Sequence, residues 1–379
     1  MSCLNLLKPI CFCPTADGWG LPAAFVGEPG TAKTSIIKAF AASFKGAFEC
    51  LVPSERGAGA FGVVPVPVGG YLTYPSPDWS KKFEVEHPGM VFIDEMNTND
   101  QEIQRAIMGL TLGRRIGGKT LGGHVRILCA MNPPEHSGGA DLNPAACNRL
   151  GWFKWAPQPR EDWSNFMSSG TGVTMEPFDP RAEEAMVLAA WGPAYAKALG
   201  VCDGFLKARP SYKNQMLPLG QSGPWPSDRS WSYAVRARAI SAVYGLGEID
   251  TDTMTGAFVG DKVNGELRVF EHSLDLPDAA AVLDGNAPWE HRKERIDRTV
   301  AFFTECTTLV TAPGSHKRKE RSVALWNLLA QHIDLKSARD LAVGPAMAMS
   351  AAKLDGDRAC LVALAKLRPL MDAVGSSKK

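Results

Sequence analysis

The stretch AAFVGEPGTAKTSIIKAFAASF constrains the fold more than any other part of this chain. A short apolar run, residues 23–27, leads directly into a glycine-rich loop. The loop opens into residues 34–44, where Ile36, Ile37, Phe40 and Phe44 recur at helical spacing. Strand, glycine loop and helix in that order are the setting of a phosphate-binding loop. A phosphate needs N–H groups converging at a helix start, together with a cation. The general pattern is G-x-x-x-x-G-K-[ST]. Gly27, Lys33 and Thr34 fit it, while Ala32 stands where the second glycine is expected. The candidate cradle is Gly27, Glu28, Pro29, Gly30, Thr31, Ala32, Lys33, Thr34 and Ser35. Gly27 and Gly30 let the backbone curl, and Pro29 stiffens it. Lys33 can reach the β- and γ-phosphates of ATP, and the Thr34 hydroxyl can ligate Mg²⁺. The expectation at Ala32 is near-helical backbone angles, at which a methyl group is tolerated.

Two more buried-strand runs follow. GMVFIDE, residues 89–95, ends in Asp94 and Glu95, which places both carboxylates at the C-terminal edge of a sheet. Asp94 can hold Mg²⁺ through water, and Glu95 can orient the water that attacks a γ-phosphate. VRILCAMN, residues 125–132, ends in Asn132, whose amide can bond that water or the γ-phosphate; a turn-forming Asn before Pro is the plainer account of it taken alone. Between the two runs, Ile103, Ala106, Ile107 and Leu110 predict a helix, with capping-box spacing at Thr98 and Gln101. The glycine pairs of 114–125 predict a hairpin. The Gly/Pro-rich stretch before residue 80 predicts a loop with one edge strand, despite its apolar segment 63–75.

Repeated strand–loop–helix units predict an α/β parallel sheet. After a Gly/Ser/Pro linker at 168–180 the pattern becomes helical, most clearly over 181–199, 229–245, 290–309, 321–332 and 336–369. Two arginines stand out. Arg149 precedes an aromatic strand-like run, where it could reach into a neighbour's site or simply lie on the surface. Arg229 falls in the first turn of a helix that Ser227 or Asp228 can cap, where a cation opposes the helix dipole unless an anion is near.

The 379 residues carry a net charge of +1, so no global field draws nucleic acid or a membrane surface. Nine cysteines without a spacing pattern argue against a disulfide framework and for a reducing compartment. The first residues have no basic leader and are interrupted by Pro9, and no run of about 18 apolar residues is evident, so the expectation is neither signal peptide nor anchor and a cytoplasmic location. The basic run 315–322 reads as a solvated loop between helices. Trp225 and Trp231 read as packing residues, and His87, His124 and His136 have no metal-ligand spacing.

Taken in order, these features resemble the MoxR-like branch of the AAA+ ATPases, which writes its phosphate loop G-x-P-G-x-A-K-T with alanine at the position of Ala32. Asp94-Glu95-Met96-Asn97 resembles its D-E-[IM]-N, RRIGGKTL its hairpin before sensor 1, and AMNPPE its sensor 1 with Asn132. LNPAACNRLGWF resembles its L-P-E-A-x-x-D-R-F segment, with Asn148 in place of the acid, which implies that Arg149 is an arginine finger. PSDRSW resembles its S-P-R sensor 2, with Ser227-Asp228 before Arg229. The resemblance implies a parallel-sheet P-loop NTPase (AAA+) α/β core over 1–170, an α-helical lid over 171–259 and a C-terminal α-helical extension over 260–379. It implies a homo-oligomeric ring, usually a hexamer, that hydrolyses ATP with Mg²⁺ at subunit interfaces. It further implies chaperone-like remodelling of a partner, commonly one with a von Willebrand factor A domain. The competing expectations are a nucleotide-gated scaffold with negligible hydrolysis and a nucleic-acid-stimulated motor.

Overall fold

The structure is a computed structural model that describes residues 4–97, 101–133, 142, 144–169, 175–218, 221–333, 339–355 and 358–376. Five strands form one parallel sheet: β1 Ala23–Val26, β2 Ala47–Leu51, β3 Gly89–Ile93, β4 Val125–Met131 and β5 Gly151–Lys154. Their order across the sheet is β5-β1-β4-β3-β2. Every residue of β3 and β4 is buried. That is why these strands read as near-continuous apolar runs, with Arg126 the one charged residue in them, and not as alternations, since helices cover both faces of a parallel sheet. The fold class expected from the sequence, an α/β core with a parallel sheet followed by helices, is the one observed.

The chain starts with helix α1 Leu4–Cys11, in which Leu6, Leu7, Ile10 and Cys11 are buried. Helix α2 Lys33–Ser43 buries Ile36, Ile37 and Phe40. Helix α3 Gln101–Gly113 buries Ile103, Ile107 and Leu110 against Val91, Ile93, Cys129 and Met131 of the sheet. Thr98 of the expected capping box lies outside the described residues. The hairpin expected in 114–125 is present, Arg115–Ile116 pairing with Lys119–Thr120.

The Gly/Pro-rich stretch differs from expectation. Val66–Val68 and Tyr71–Thr73 form a separate antiparallel hairpin, not an edge strand of the main sheet. Gly69 and Gly70 hold φ of 59° and 84°, the left-handed pair that a two-residue hairpin turn requires. Val68, Tyr71 and Leu72 are exposed on it.

The short helix α4 Pro144–Cys147 precedes β5, and the helices α5 Arg160–Ser169 and α6 Pro180–Ala208 follow it. α5 has no counterpart in the sequence expectation: Trp163, Phe166 and Met167 are its only large apolar residues, and Trp163 and Met167 are exposed. α6 is long and apolar enough, by length and composition alone, to cross a membrane. Near its start it nonetheless carries two adjacent acids: Glu183 bonds Lys8 and Tyr244, and the buried Glu184 bonds Arg126 and Arg181. The Arg126 guanidinium is fully buried and lies 4.7 Å from the Phe12 ring centre.

Two compact units divide the chain within α6: residues 1–189 with 214–262, and residues 190–213 with 263–379. The first, the sheet unit, also holds α7 Asp228–Val243 and α8 Glu248–Val259. The second, the helical unit, contains α9 Asp261–Ser273 beyond its first turn, α10 Ala279–Leu283, α11 Ile296–Thr311, α12 Arg318–Ile333, α13 Val343–Ala351 and α14 Arg358–Ser376. Residues 290–295, expected helical, are not helical; α11 begins at Ile296. The expected helix 336–369 is interrupted after Ala351, where Lys353 takes φ 57° and the Leu354 N–H bonds back to the Met349 carbonyl at 3.0 Å. Within this unit Gly204 lets α6 approach α11, since a Cβ there would lie 2.8 Å from that of Ala301. Trp289 stacks on Phe302 with ring centres 3.8 Å apart. Of the basic run, Lys317 and Arg321 pair with Asp284.

Candidate nucleotide site

The loop after β1 is fixed by its own chain. The Gly27 N–H donates to the Met131 carbonyl at 3.2 Å. A Cβ on Gly27 would meet the Trp155 carbonyl oxygen at 2.6 Å, so no larger residue fits there. The Trp155 indole N–H donates to the Thr31 carbonyl at 3.1 Å, and the Thr31 hydroxyl donates to the Glu28 carbonyl at 2.7 Å. Gly30 supplies a positive φ of 77°.

Ala32 corrects the sequence reading. It caps α2 with φ 62° and ψ 20°, in the left-handed region and not at helical angles. The physical reason lies in the turn. Alternating hands of backbone point successive N–H groups into one concavity, and that geometry is needed whether or not a glycine supplies it. The methyl group is therefore accepted at a strain of roughly 1 kcal/mol.

Lys33 is buried, 6% exposed. Its ammonium donates to the carbonyls of Gly27 at 2.8 Å and Glu28 at 2.9 Å, and reaches Asn132 Oδ1 at 3.5 Å. Burial draws its pKa below the ordinary lysine value, against the opposing pull of Asp94 and Glu95. The Thr34 hydroxyl donates to the Asp94 carboxylate. The segment after β3 is held from both sides: the Asp94 N–H donates to the Leu51 carbonyl at 2.9 Å and the Met96 N–H to the Ala130 carbonyl at 3.0 Å. Between them Glu95 takes a positive φ of 52°. Its carboxylate accepts from the Ser54 hydroxyl at 2.9 Å. Asn97 donates to the Asn132 carbonyl at 3.3 Å.

Loop residues 29–35 line a cavity of about 900 Å³ together with Asp94, Glu95 and Asn132. Pro157, Gln158, Arg160 and Trp163 complete its wall. The strand ends thus bring a cation, a hydroxyl, two carboxylates and an amide to one crevice, where ligands of open parallel sheets bind. Thr34 and Asp94 offer adjacent hard oxygen donors, the type that Mg²⁺ takes. Among the described residues no cluster of three His, Cys, Asp or Glu side chains could by itself hold a metal ion.

Gly27 and Glu28 sit at the base of the loop and are not among the lining residues; nor are Arg149 and Arg229. Arg149 lies half-buried in the turn after α4, with Nε buried and without a hydrogen-bond partner. Arg229 is exposed in the first turn of α7, which Ser227 caps through a reciprocal box with Ser230. The residues before the two arginines meet: Asn148 accepts from the Ser227 hydroxyl at 2.7 Å and donates to the Trp225 carbonyl at 2.9 Å. Sequence reasoning missed Ser54, Gln158, Arg160 and Trp163 as site residues. The one signal for the last two was a cation and an aromatic three residues apart just after Pro159.

No protein-family profile matches the chain, and no curated protein does. Among solved structures it is similar to a candidate ATPase from Cytophaga hutchinsonii, at 12% identity and a TM-score of 0.46, over 72% of this chain and 89% of that one. Identity and score at that level carry no argument about activity, which rests on the site itself.

Proposed function

We propose that this protein is an ATP hydrolase of the AAA+ type, MoxR-like, that works as a homo-oligomeric ring and remodels a partner protein. One observation carries the reading: Lys33, Thr34, Asp94, Glu95 and Asn132, from three different strand ends, line one cavity with a phosphate loop. In the proposed reaction Lys33 exchanges the Gly27 and Glu28 carbonyls for phosphate oxygens, a trade between charge-assisted hydrogen bonds. Water attacks the γ-phosphorus as the bond to the leaving ADP oxygen breaks, and Glu95 orients that water and accepts its proton. Asn132 donates to the water or to a γ-oxygen. Thr34 and Asp94 would hold Mg²⁺, which supplies charge neutralisation to the phosphates when bound. Arg149 is assigned to a neighbouring subunit's site as an arginine finger, and Arg229 to sensing the nucleotide from a lid over 171–259. The extension 260–379, a hexameric state, a von Willebrand factor A partner and a cytoplasmic location complete the proposal on the strength of the resemblance.

The test is phosphate release by the purified chain over a range of protein concentrations, with sizing in the presence and absence of ATP. Specific activity that rises with concentration supports a shared site. Glu95→Gln should bind ATP yet hydrolyse it at least about a hundredfold more slowly. Turnover by Glu95→Gln at the wild-type rate would sink the assignment of Glu95. ATP-dependent assembly without any phosphate release would instead identify a nucleotide-gated scaffold.

A further inference from the structure

The phosphate loop and its acids make only part of the cavity wall, and the rest comes from residues 157–163, to which no chemistry has yet been given. α5 begins at Arg160, so Arg160 and Trp163 stand three residues apart on one side of that helix and both face the same cavity. Trp163 is 58% exposed and is the one aromatic side chain among the described residues that line the cavity. An indole left in water is costly, and a ligand with an aromatic face would cover it. The volume of about 900 Å³ is at the large end for small-molecule sites, so it can enclose more than a phosphate chain.

We infer that Trp163 stacks on the base of the bound nucleoside triphosphate while Arg160 contacts its phosphate chain. The inference rests on the nucleotide-hydrolase reading above. Stacking on an indole accepts any base, because every base has a π face. Trp163 therefore distinguishes a nucleotide from a bare polyphosphate, and Gln158, whose amide both donates and accepts, is placed in the same wall to bond a base edge. Arg160 adds a cation that phosphate oxygens can accept from, with charge-assisted bonds.

Equilibrium binding of ATP and of inorganic tripolyphosphate to the full chain, with Mg²⁺, tests this in wild type, Trp163→Ala and Trp163→Phe. Trp163→Ala should weaken ATP by about tenfold or more and leave tripolyphosphate unchanged, as expected for the loss of one stacked base. Trp163→Phe should restore most of the ATP affinity. Equal weakening of both ligands, or no weakening of ATP, overturns the assignment while leaving the hydrolase reading intact. A wild-type chain that binds neither ligand overturns the hydrolase reading, and this inference with it.

Discussion

In the sheet unit, Ala32 holds positive φ at the start of α2 and Glu95 holds it after β3, and both line the cavity. In the helical unit, Lys353 holds positive φ where α13 ends, and Lys317 does so in the exposed turn before α12. A left-handed residue after a helix is an ordinary way to satisfy its last carbonyls. Lys45 and Arg114 of the sheet unit do the same after α2 and α3, so chain reversal alone accounts for them. The buried cations differ in the same way. Arg298 in the helical unit gives its donors to the Asp275 and Glu290 carbonyls, both at 2.6 Å, and lies 4.5 Å from the Trp289 ring centre. Lys33 gives its donors to loop carbonyls at the edge of a cavity, where a phosphate can replace them. The helical unit uses positive φ and Arg298 to close itself; the sheet unit does the same with Lys45, Arg114 and Arg126, and in addition keeps Ala32, Glu95 and Lys33 at an open site. What sets Ala32 and Glu95 apart from Lys317 and Lys353 is that their positive φ lies in the wall of a cavity.

Three changes should sharpen or break this contrast. Trp326 is fully buried and donates to the Leu354 carbonyl at 2.7 Å. Trp326→Ala should cost about 3–5 kcal/mol in denaturant melts, with ATP affinity unchanged; a parallel loss of ATP affinity would show that the helical unit supports the site. Glu305 comes next. Burial pushes its pKa up to about 7, with Lys197 only partly offsetting it. The folded protein then keeps a proton that the unfolded chain has released, so stability is full below about pH 4.5 and falls as pH rises towards 7. The loss is bounded at about 3 kcal/mol by that shift. Glu305→Gln should flatten the profile, and thermal melts at about pH 5 and about pH 8 compare the two slopes. An unchanged slope would mean that Glu305 is not held protonated. The smallest effect is at the loop: Ala32→Gly should add about 0.5–1 kcal/mol of stability by relieving the left-handed methyl. A destabilised Ala32→Gly would mean that the methyl packs usefully and that the strain account is wrong.

Buried parallel strands leave a strong mark in a sequence, which is why GMVFI and VRILCAM, with the polar residues at their ends, could be read as strands pointing functional groups at one edge. The glycine loop was legible for a similar reason, since strand, loop and helix each carry their own pattern. The hand of the backbone at Ala32 was not legible, because alanine gives no sign of a conformation that it rarely adopts. α5 was hidden because it has few apolar residues, of which Trp163 and Met167 are exposed, so the periodicity that marks a helix packed on a core is thin there. Ser54 was hidden because its bond to Glu95 spans forty-one positions and depends on how β2 and β3 pair. Nothing local to either residue announces it.

Asn148 has a consequence for mechanics. It grips the hydroxyl that caps α7 with one end of its amide and the Trp225 carbonyl with the other. Arg149 is its next neighbour along the chain, and Arg229 rides on the helix that Ser227 caps. The two guanidinium groups are thereby mounted on a common bracket. A tilt of α7 that kept both bonds would carry the Arg149 turn with it, through one small amide.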